Sequence, residues 1–312
     1  MLSSVISTLF TMRFLLTIIR LATPILFAAL GAFIAASTGI GNIAIESIMT
    51  FAALAGVLGS FLSGSAWVGV LLAIVIGIFT VMLIAFFSMK LGADAFLIMI
   101  ALNTFADAVA IFILYQITGD KGTTASLSTP ILGQLDIPLL NKIPILGEIL
   151  SGQYDLTYVC WILIIILFIM IYKTPLGMRM RACGLNADAA RTAGVNVEKL
   201  RVLSLVLSGV LAALGGAYLS LNYLKIFSKG MVSGQGWMGV AANGIANGNY
   251  WMLILSGVIF AVFRAVSIIF SSNSAFPTDL VGAIPYFSVF VILTVVSIVN
   301  YYRTKRGKVE EE

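Results

Sequence analysis

The sequence predicts an all-α fold, a polytopic membrane helix bundle, and three observations carry that expectation. Of 312 residues, 60% are hydrophobic and only 10% are charged, where a typical soluble domain carries roughly 25% charged residues. The mean hydropathy is +1.08, and a chain this apolar has too little polar surface to be solvated by water on its outside. Charge-free runs of membrane length recur at residues 21–45, 47–89, 156–172, 202–224, 230–263 and 280–302, and about 20 apolar residues span a bilayer as a helix. Barrel strands would instead be about 10 residues long and alternate polar with apolar positions.

Taken in order, residues 1–19 read as an apolar helix interrupted by Arg13, either interfacial or spanning. The first clear span is 21–37, with Pro24 near its start, a residue membrane helices tolerate. Spans follow at 43–62 and 66–89, joined by a turn at Ser63-Gly64-Ser65. The next, 95–115, carries Asn103 and Asp107. Residues 116–155 form a polar stretch with Pro130, Pro138 and Pro144, in which Asp120, Asp136, Glu148 and Asp155 outweigh Lys121 and Lys142. Further spans are expected at 156–172, 202–224, 251–270 and 281–302. Residues 231–245 are short and rich in Gly and Asn, as a broken helix would be. The total is eight clear spans, about 8–10 when broken or re-entrant segments are included, in a single domain over 1–312.

The segment between Lys173 and Arg201 and the tail Arg303–Lys308 are both basic, which places both, and the C-terminus, on the cytoplasmic side. Arg13 and Arg20 point to an N-terminus on that same side. Five spans from residue 21 would then leave the basic loop on the wrong face, so a further crossing by 1–19 or a re-entrant segment near 43–62 is needed. No cleavable signal sequence is expected, since no charged region precedes the first apolar run. With no His and two Cys, Cys160 and Cys183, neither a metal centre nor a disulfide framework is expected.

The loop 174–200 is the most informative stretch. Asn186 suits a helix N-cap, Asp188 suits the positive first turn, and Gly194 suits a helix stop. Ala187, Ala189, Ala190 and Ala193 favour helix between them. Such a helix fits a groove on a partner, with Arg179, Arg181 and Arg191 able to grip acidic or carbonyl groups; it equally suits an ordinary surface helix in a basic loop. In the following span Ser208, Ala212 and Gly216, and beside them Gly209, Ala213 and Ala217, form two small-residue stripes that let helices pack closely.

These residues resemble a known family. Gly177, Arg181-Ala182, Gly184, Asn186, Ala189-Ala190 and Gly194, then Ser208-Gly209, follow the G-x-x-x-R-A-x-G-x-N-x-x-A-A-x-x-x-G loop and S-G helix of permease subunits of ABC importers, in the branch serving branched-chain amino acids, ribose and nucleosides. Arg20-Leu21-Ala22-Thr23-Pro24, Gly31, Gly39–Asn42-Ile43 and Glu46 resemble the nucleoside-type members, with Ala44 and Ser47 replacing glycines. Leu102-Asn103 and Gly234-Gln235-Gly236-Trp237 resemble further stretches of that branch, Gln235 standing where Arg is usual. The resemblance implies that Gly184, Asn186, Asp188, Ala189, Ala190, Arg191 and Gly194 form a coupling helix seated on a separate ATPase subunit. It also implies a second permease subunit, an extracytoplasmic substrate-binding protein, and residence in a bacterial cytoplasmic (inner) membrane. ATP and Mg belong to the ATPase, because this chain has no phosphate-binding loop of its own; the permease itself is expected to hold no cofactor and to be no enzyme. Ribose, simple sugars and branched-chain amino acids are the alternative cargoes.

Polar groups at membrane depth are costly and face cavities or partners. Those singled out for a substrate path are Asn42, Glu46, Asn103, Asp107, Trp237, Asn243 and Asn247, with Arg264 beside them. Asn103 and Asp107 share a helix face, as do Asn243 and Asn247. The amides suit nucleobase edges or sugar hydroxyls, and Trp237 suits stacking on a base. Each amide serves equally as an interhelical bond, and Glu46 equally as a partner for Arg20 or Arg264. A secondary transporter would need an inverted repeat that is not evident, and a membrane enzyme would need clustered His, Asp or Cys. Membrane lipid is the expected surround, and no nucleic acid polymer is expected as a partner.

Overall fold

A computed structural model describes residues 12–136 and 149–272, together with 287, 289–291, 294 and 298. The chain builds a bundle around its first described helix, α1 (Met12–Ala36), whose residues from Leu21 to Ala35 are all buried. The sequence expectation of two helices divided near Arg20 is corrected, since α1 runs unbroken through Arg13, Arg20 and Pro24. Pro24 has no N–H to give the carbonyl four residues back. The Tyr218 hydroxyl donates to Arg20 O instead, at 2.9 Å, and the Arg20 guanidinium lies over the Tyr154 ring, 5.0 Å from its centroid.

Helices α2 (Ile45–Ser63) and α3 (Ala66–Ala85) form a tight hairpin. It turns at Gly64, in the left-handed region with φ of 69°, where the sequence placed the turn. A π-helical turn, Phe86–Lys90, extends α3. Helix α4 (Ala95–Thr118) starts at Asp94, whose carboxylate accepts from Phe96 N and Leu97 N. It packs on α2 and α3 and leaves much of its surface open. The following loop carries two short antiparallel strands, β1 (Gln134–Leu135) and β2 (Gln153–Tyr154), which the sequence did not announce.

Helix α5 (Asp155–Lys173) returns to the basic face. There α6 (Pro175–Leu185) and α7 (Ala187–Thr192) lie in succession. Helix α6 replaces the first part of the expected loop, opening with Pro175 and the Thr174 cap on Gly177 N. Helix α8 (Val197–Ala217) starts at the Asn196 cap and ends in a π-helical turn, Tyr218–Tyr223. Both small-residue stripes of α8 are interfaces. A Cβ on Gly216 would strike Met49 O of α2, and one on Gly77 of α3 would meet Ala213 Cβ and Gly209 O at 2.6 and 2.7 Å. The stripes therefore set how closely α8 approaches α2 and α3. Helices α9 (Gln235–Ala246) and α10 (Tyr250–Ser272) close the described bundle against α1.

Seven described helices are long and apolar enough to cross a membrane. Helix α9 is not among them. At about 1.5 Å per residue its 12 residues extend roughly 18 Å, against a hydrocarbon layer of about 30 Å. The expected crossing at 231–245 is thus a half-length helix, in keeping with its broken character. The side assigned to Arg13 and Arg20 is also corrected. Arg20 sits with Tyr154 and Tyr218, whereas Ser37, at the other end of α1, lies against Gly184 of the basic segment. Five alternating crossings, α1 to α5, carry the chain from the opposite face to the basic one, and no re-entrant 43–62 segment is needed. The expected 281–302 span lies largely outside the described residues, and residues 1–11 of the expected 1–19 helix and the basic tail lie outside them altogether.

Candidate functional site

The end of α9 away from the basic face, called its outer end, is built on Glu46. Between the π-helical turn of α8 and the start of α9, residues Lys225, Gly230, Ser233 and Gly234 all take left-handed backbone angles. That coil brings the N–H groups at the start of α9 toward the first turn of α2. Glu46 Oε1 accepts from Gly234 N and Oε2 from Gly236 N, each at 2.8 Å. A helix N-terminus has N–H groups without intrahelical partners and a positive dipole end, so one carboxylate satisfies two donors and is itself compensated. Gly236 allows the approach, because a Cβ there would lie 2.7 Å from the Glu46 backbone nitrogen. Glu46 therefore pairs with neither Arg20 nor Arg264. Arg264 of α10 also holds this coil, donating from Nη1 to Ser233 O at 3.1 Å.

Asn103 joins α4 to the start of α2. Its Nδ2 donates to Ile43 O and its Oδ1 accepts from Ser47 N, both at 3.0 Å. One turn further along α4, Asp107 is exposed, as the shared face required. Glu46, Thr50, Asn103, Asp107, Ser233 and Trp237 surround a cavity of about 300 Å³. Four of the seven residues singled out from the sequence thus meet at one place. Thr50 and Ser233 were missed; Thr50, four residues after Glu46, carried a helical-spacing signal, and Ser233 carried none.

Asn42 is not on this cavity. It is buried, donating to Ser208 Oγ at 2.9 Å and accepting from Ala44 N at 3.0 Å, so its role is to fix the link between α1 and α2 against α8. Asn243 and Asn247 are also elsewhere. They line a second cavity of about 540 Å³ at the inner end of α9, with Phe33, Ser37, Arg181 and Leu185. Trp237 and Asn243 are six residues apart, about 9 Å along the helix. Asn247 ends α9 in the left-handed region, with φ of 43°. The Arg181 guanidinium lies 5.1 Å from the centroid of the Tyr172 ring.

Helix α7 has the ends its sequence announced. Asn186 Oδ1 accepts from Asp188 N at 3.1 Å and from Ala189 N at 3.0 Å. Gly194 takes φ of 82°, and Val195 N returns to Ala190 O at 3.0 Å. Ala190 faces the bundle, while Ala189 faces outward beside the exposed Asp188–Arg191 pair. Gly184 also faces inward, since a Cβ there would lie 2.5 Å from Ser37 O. The α6–α7 segment thereby rests directly on the end of α1.

A family model described as "Branched-chain amino acid transport system / permease component" matches residues 14–305. The nucleoside ABC transporter permease protein NupC of Lactococcus lactis subsp. cremoris (strain MG1363) is 29% identical over 282 residues, 87% of this chain and 88% of that protein. The guanosine ABC transporter permease protein NupQ of Bacillus subtilis (strain 168) is 31% identical over 228 residues, 71% of each chain. PsaBC from Streptococcus pneumoniae, solved in complex with Fab, aligns over 95% of both chains with a TM-score of 0.53 at 16% identity, a likeness of fold alone.

Proposed function

This chain belongs to the family of permease components of branched-chain amino acid transport systems, and on that premise we propose that it is the membrane-spanning subunit of an ATP-driven importer of nucleosides. The observation that carries the cargo is the likeness, over most of the chain, to two permeases named for nucleosides and guanosine. The outer cavity has suitable chemistry. Asp107 accepts from sugar hydroxyls or base N–H groups, Asn103 can add one donor and one acceptor, and the Trp237 indole offers a face on which a base can stack.

The basic face is cytoplasmic, which puts the C-terminus inside and the 300 Å³ cavity toward the exterior side of a bacterial inner membrane. An extracytoplasmic binding protein delivers the nucleoside, and a second permease subunit completes the path. The α7 helix seats in a groove of the ATPase, which holds ATP and Mg, with Ala189 at the contact. Motion of that ATPase reaches α1 through the Gly184–Ser37 contact, and α1 carries it to α9, which packs along it.

Ala189→Asp is expected to abolish co-purification with the ATPase while leaving membrane insertion intact. The Ala189 side chain is exposed, so a carboxylate there would stand in solvent. Unchanged co-purification would remove α7 as the coupling element.

A further inference from the structure

We infer that the outer cavity selects its cargo by charge: it admits neutral, donor-rich ligands and excludes phosphate monoesters and free carboxylates, with Asp107 the deciding group. The inference rests on the cavity being the nucleoside path. It starts from an imbalance. Two carboxylates, Glu46 and Asp107, line the cavity, and no Lys or Arg does among the described residues. Glu46 is compensated, both of its oxygens being held by N–H groups of the α9 terminus. The terminus is thereby closed to any other anion, since its first donors already have an acceptor. Arg264 is not among the residues lining the cavity and donates to the backbone oxygen of Ser233. Lys229 is exposed and does not line the cavity, on a loop tied to Gly122 by its backbone N–H.

Asp107 has no such compensation. It takes part in no hydrogen bond or ion pair among the described residues. It lies twelve residues after Ala95 and eleven before Thr118, so at about 1.5 Å per residue it is some 16–18 Å from either end of α4. An ionised side chain at that depth faces water or a partner, not lipid. Its charge is therefore presented to whatever occupies the cavity. Across an effective dielectric of about 20, a like charge about 7 Å away lowers an anion's occupancy roughly 50-fold, and water and salt in an open mouth reduce this to several-fold. The same carboxylate accepts two hydrogen bonds from a neutral ligand, as a pair of vicinal hydroxyls would supply. A nucleoside meets this demand; its 5′-phosphate does not pass the charge.

The test is independent of any partner protein. The full chain is placed in nanodiscs of zwitterionic lipid, and the Trp237 fluorescence is isolated as the difference between wild type and Trp237→Phe. Three collisional quenchers are compared: acrylamide (neutral), iodide (anionic) and caesium (cationic). Acrylamide is expected to quench the Trp237 component, caesium to quench it well, and iodide at least about five-fold less than acrylamide. Asp107→Asn, and separately Asp107→Ser, are expected to raise the iodide constant several-fold and leave acrylamide unchanged. Iodide matching acrylamide in the wild type overturns the inference, as does an iodide constant unmoved in both variants, or a Trp237 component silent to all three probes. Nucleoside uptake by the assembled importer is measured separately. Absent uptake with an intact charge barrier overturns the cargo and leaves the selectivity standing.

Discussion

The two ends of α9 are about 18 Å apart and are finished in opposite ways. At the outer end three polar side chains are tied to backbone, Glu46 to Gly234 and Gly236, Asn103 to Ile43 and Ser47, and Arg264 to Ser233, and Asp107 alone of the charged residues there is left to the cavity. At the inner end Asn243, Asn247 and Arg181 have no side-chain hydrogen bond among the described residues. Depth explains the difference. The outer end of α9 starts inside the bundle, where unpaired N–H groups have no water to turn to. The inner end opens beside α6 and α7 at the basic face, where solvent or a partner satisfies whatever the chain leaves open. One end is a fixed wall and the other an unfinished surface.

The contrast breaks most visibly at Glu46. Glu46→Ala orphans two N–H groups that now bond to a charged acceptor, at about 1.5–3 kcal/mol each. The expected outcome is at least about 100-fold faster amide exchange at Gly234 and Gly236, and nucleoside uptake near background with the protein still inserted. Glu46→Gln keeps one acceptor oxygen and should fall between. Unchanged exchange in Glu46→Ala would mean that the N-terminus of α9 is satisfied in another way, and the fixed wall would disappear from the comparison.

A smaller effect is expected at Asn103. Asn103→Leu removes the ties to Ile43 O and Ser47 N, leaving a buried-side carbonyl and N–H to re-pair, at about 1–3 kcal/mol. Thermal unfolding in detergent should show a midpoint lower by a few degrees. The start of α2 should become more accessible to exchange, because Asn103 is what joins α4 to it. No shift in either measurement would mean that α4 is held by apolar packing alone.

How much of this the sequence disclosed depends on whether the responsible partner was local. The spans were legible because lipid imposes one demand, apolarity over a fixed length. The ends of α7 were legible because Asn186 and Gly194 act within three residues of themselves. The shared face of Asn103 and Asp107 followed from helical spacing. The continuity of α1 across Arg20 was not legible, since the hydroxyl on its carbonyl belongs to Tyr218, 198 residues along the chain. Nor was the partner of Glu46, because charge pairing points to arginines, whereas the acceptor serves backbone N–H groups 188 and 190 residues away. The separation of Asn243 and Asn247 from the other path candidates was hidden for a related reason. Residues on one short helix look adjacent in sequence, but α9 presents its two ends to different cavities.

The smallest effect sharpens the comparison from the inner end. Asn247 holds a left-handed conformation with φ of 43°, in which a side chain beyond Cβ is tolerated best for Asn and not needed at all for Gly. If its amide only fills an open surface, Asn247→Gly should leave stability within about 0.5 kcal/mol, as should Asn243→Ala. Asn247→Ala should cost about 1 kcal/mol through backbone strain alone. The order Gly, then Ala, in thermal midpoint separates the two contributions, because strain distinguishes these variants and a lost side-chain bond does not. If Asn247→Gly is as destabilising as Asn247→Ala, the amide has a partner that holds the fold, and the inner end is as fixed as the outer one. If Gly is neutral for the isolated chain yet lowers coupling to the ATPase, the unfinished surface is completed by that partner, and the asymmetry of α9 is the difference between a wall built for the cargo and a seat left open for the motor.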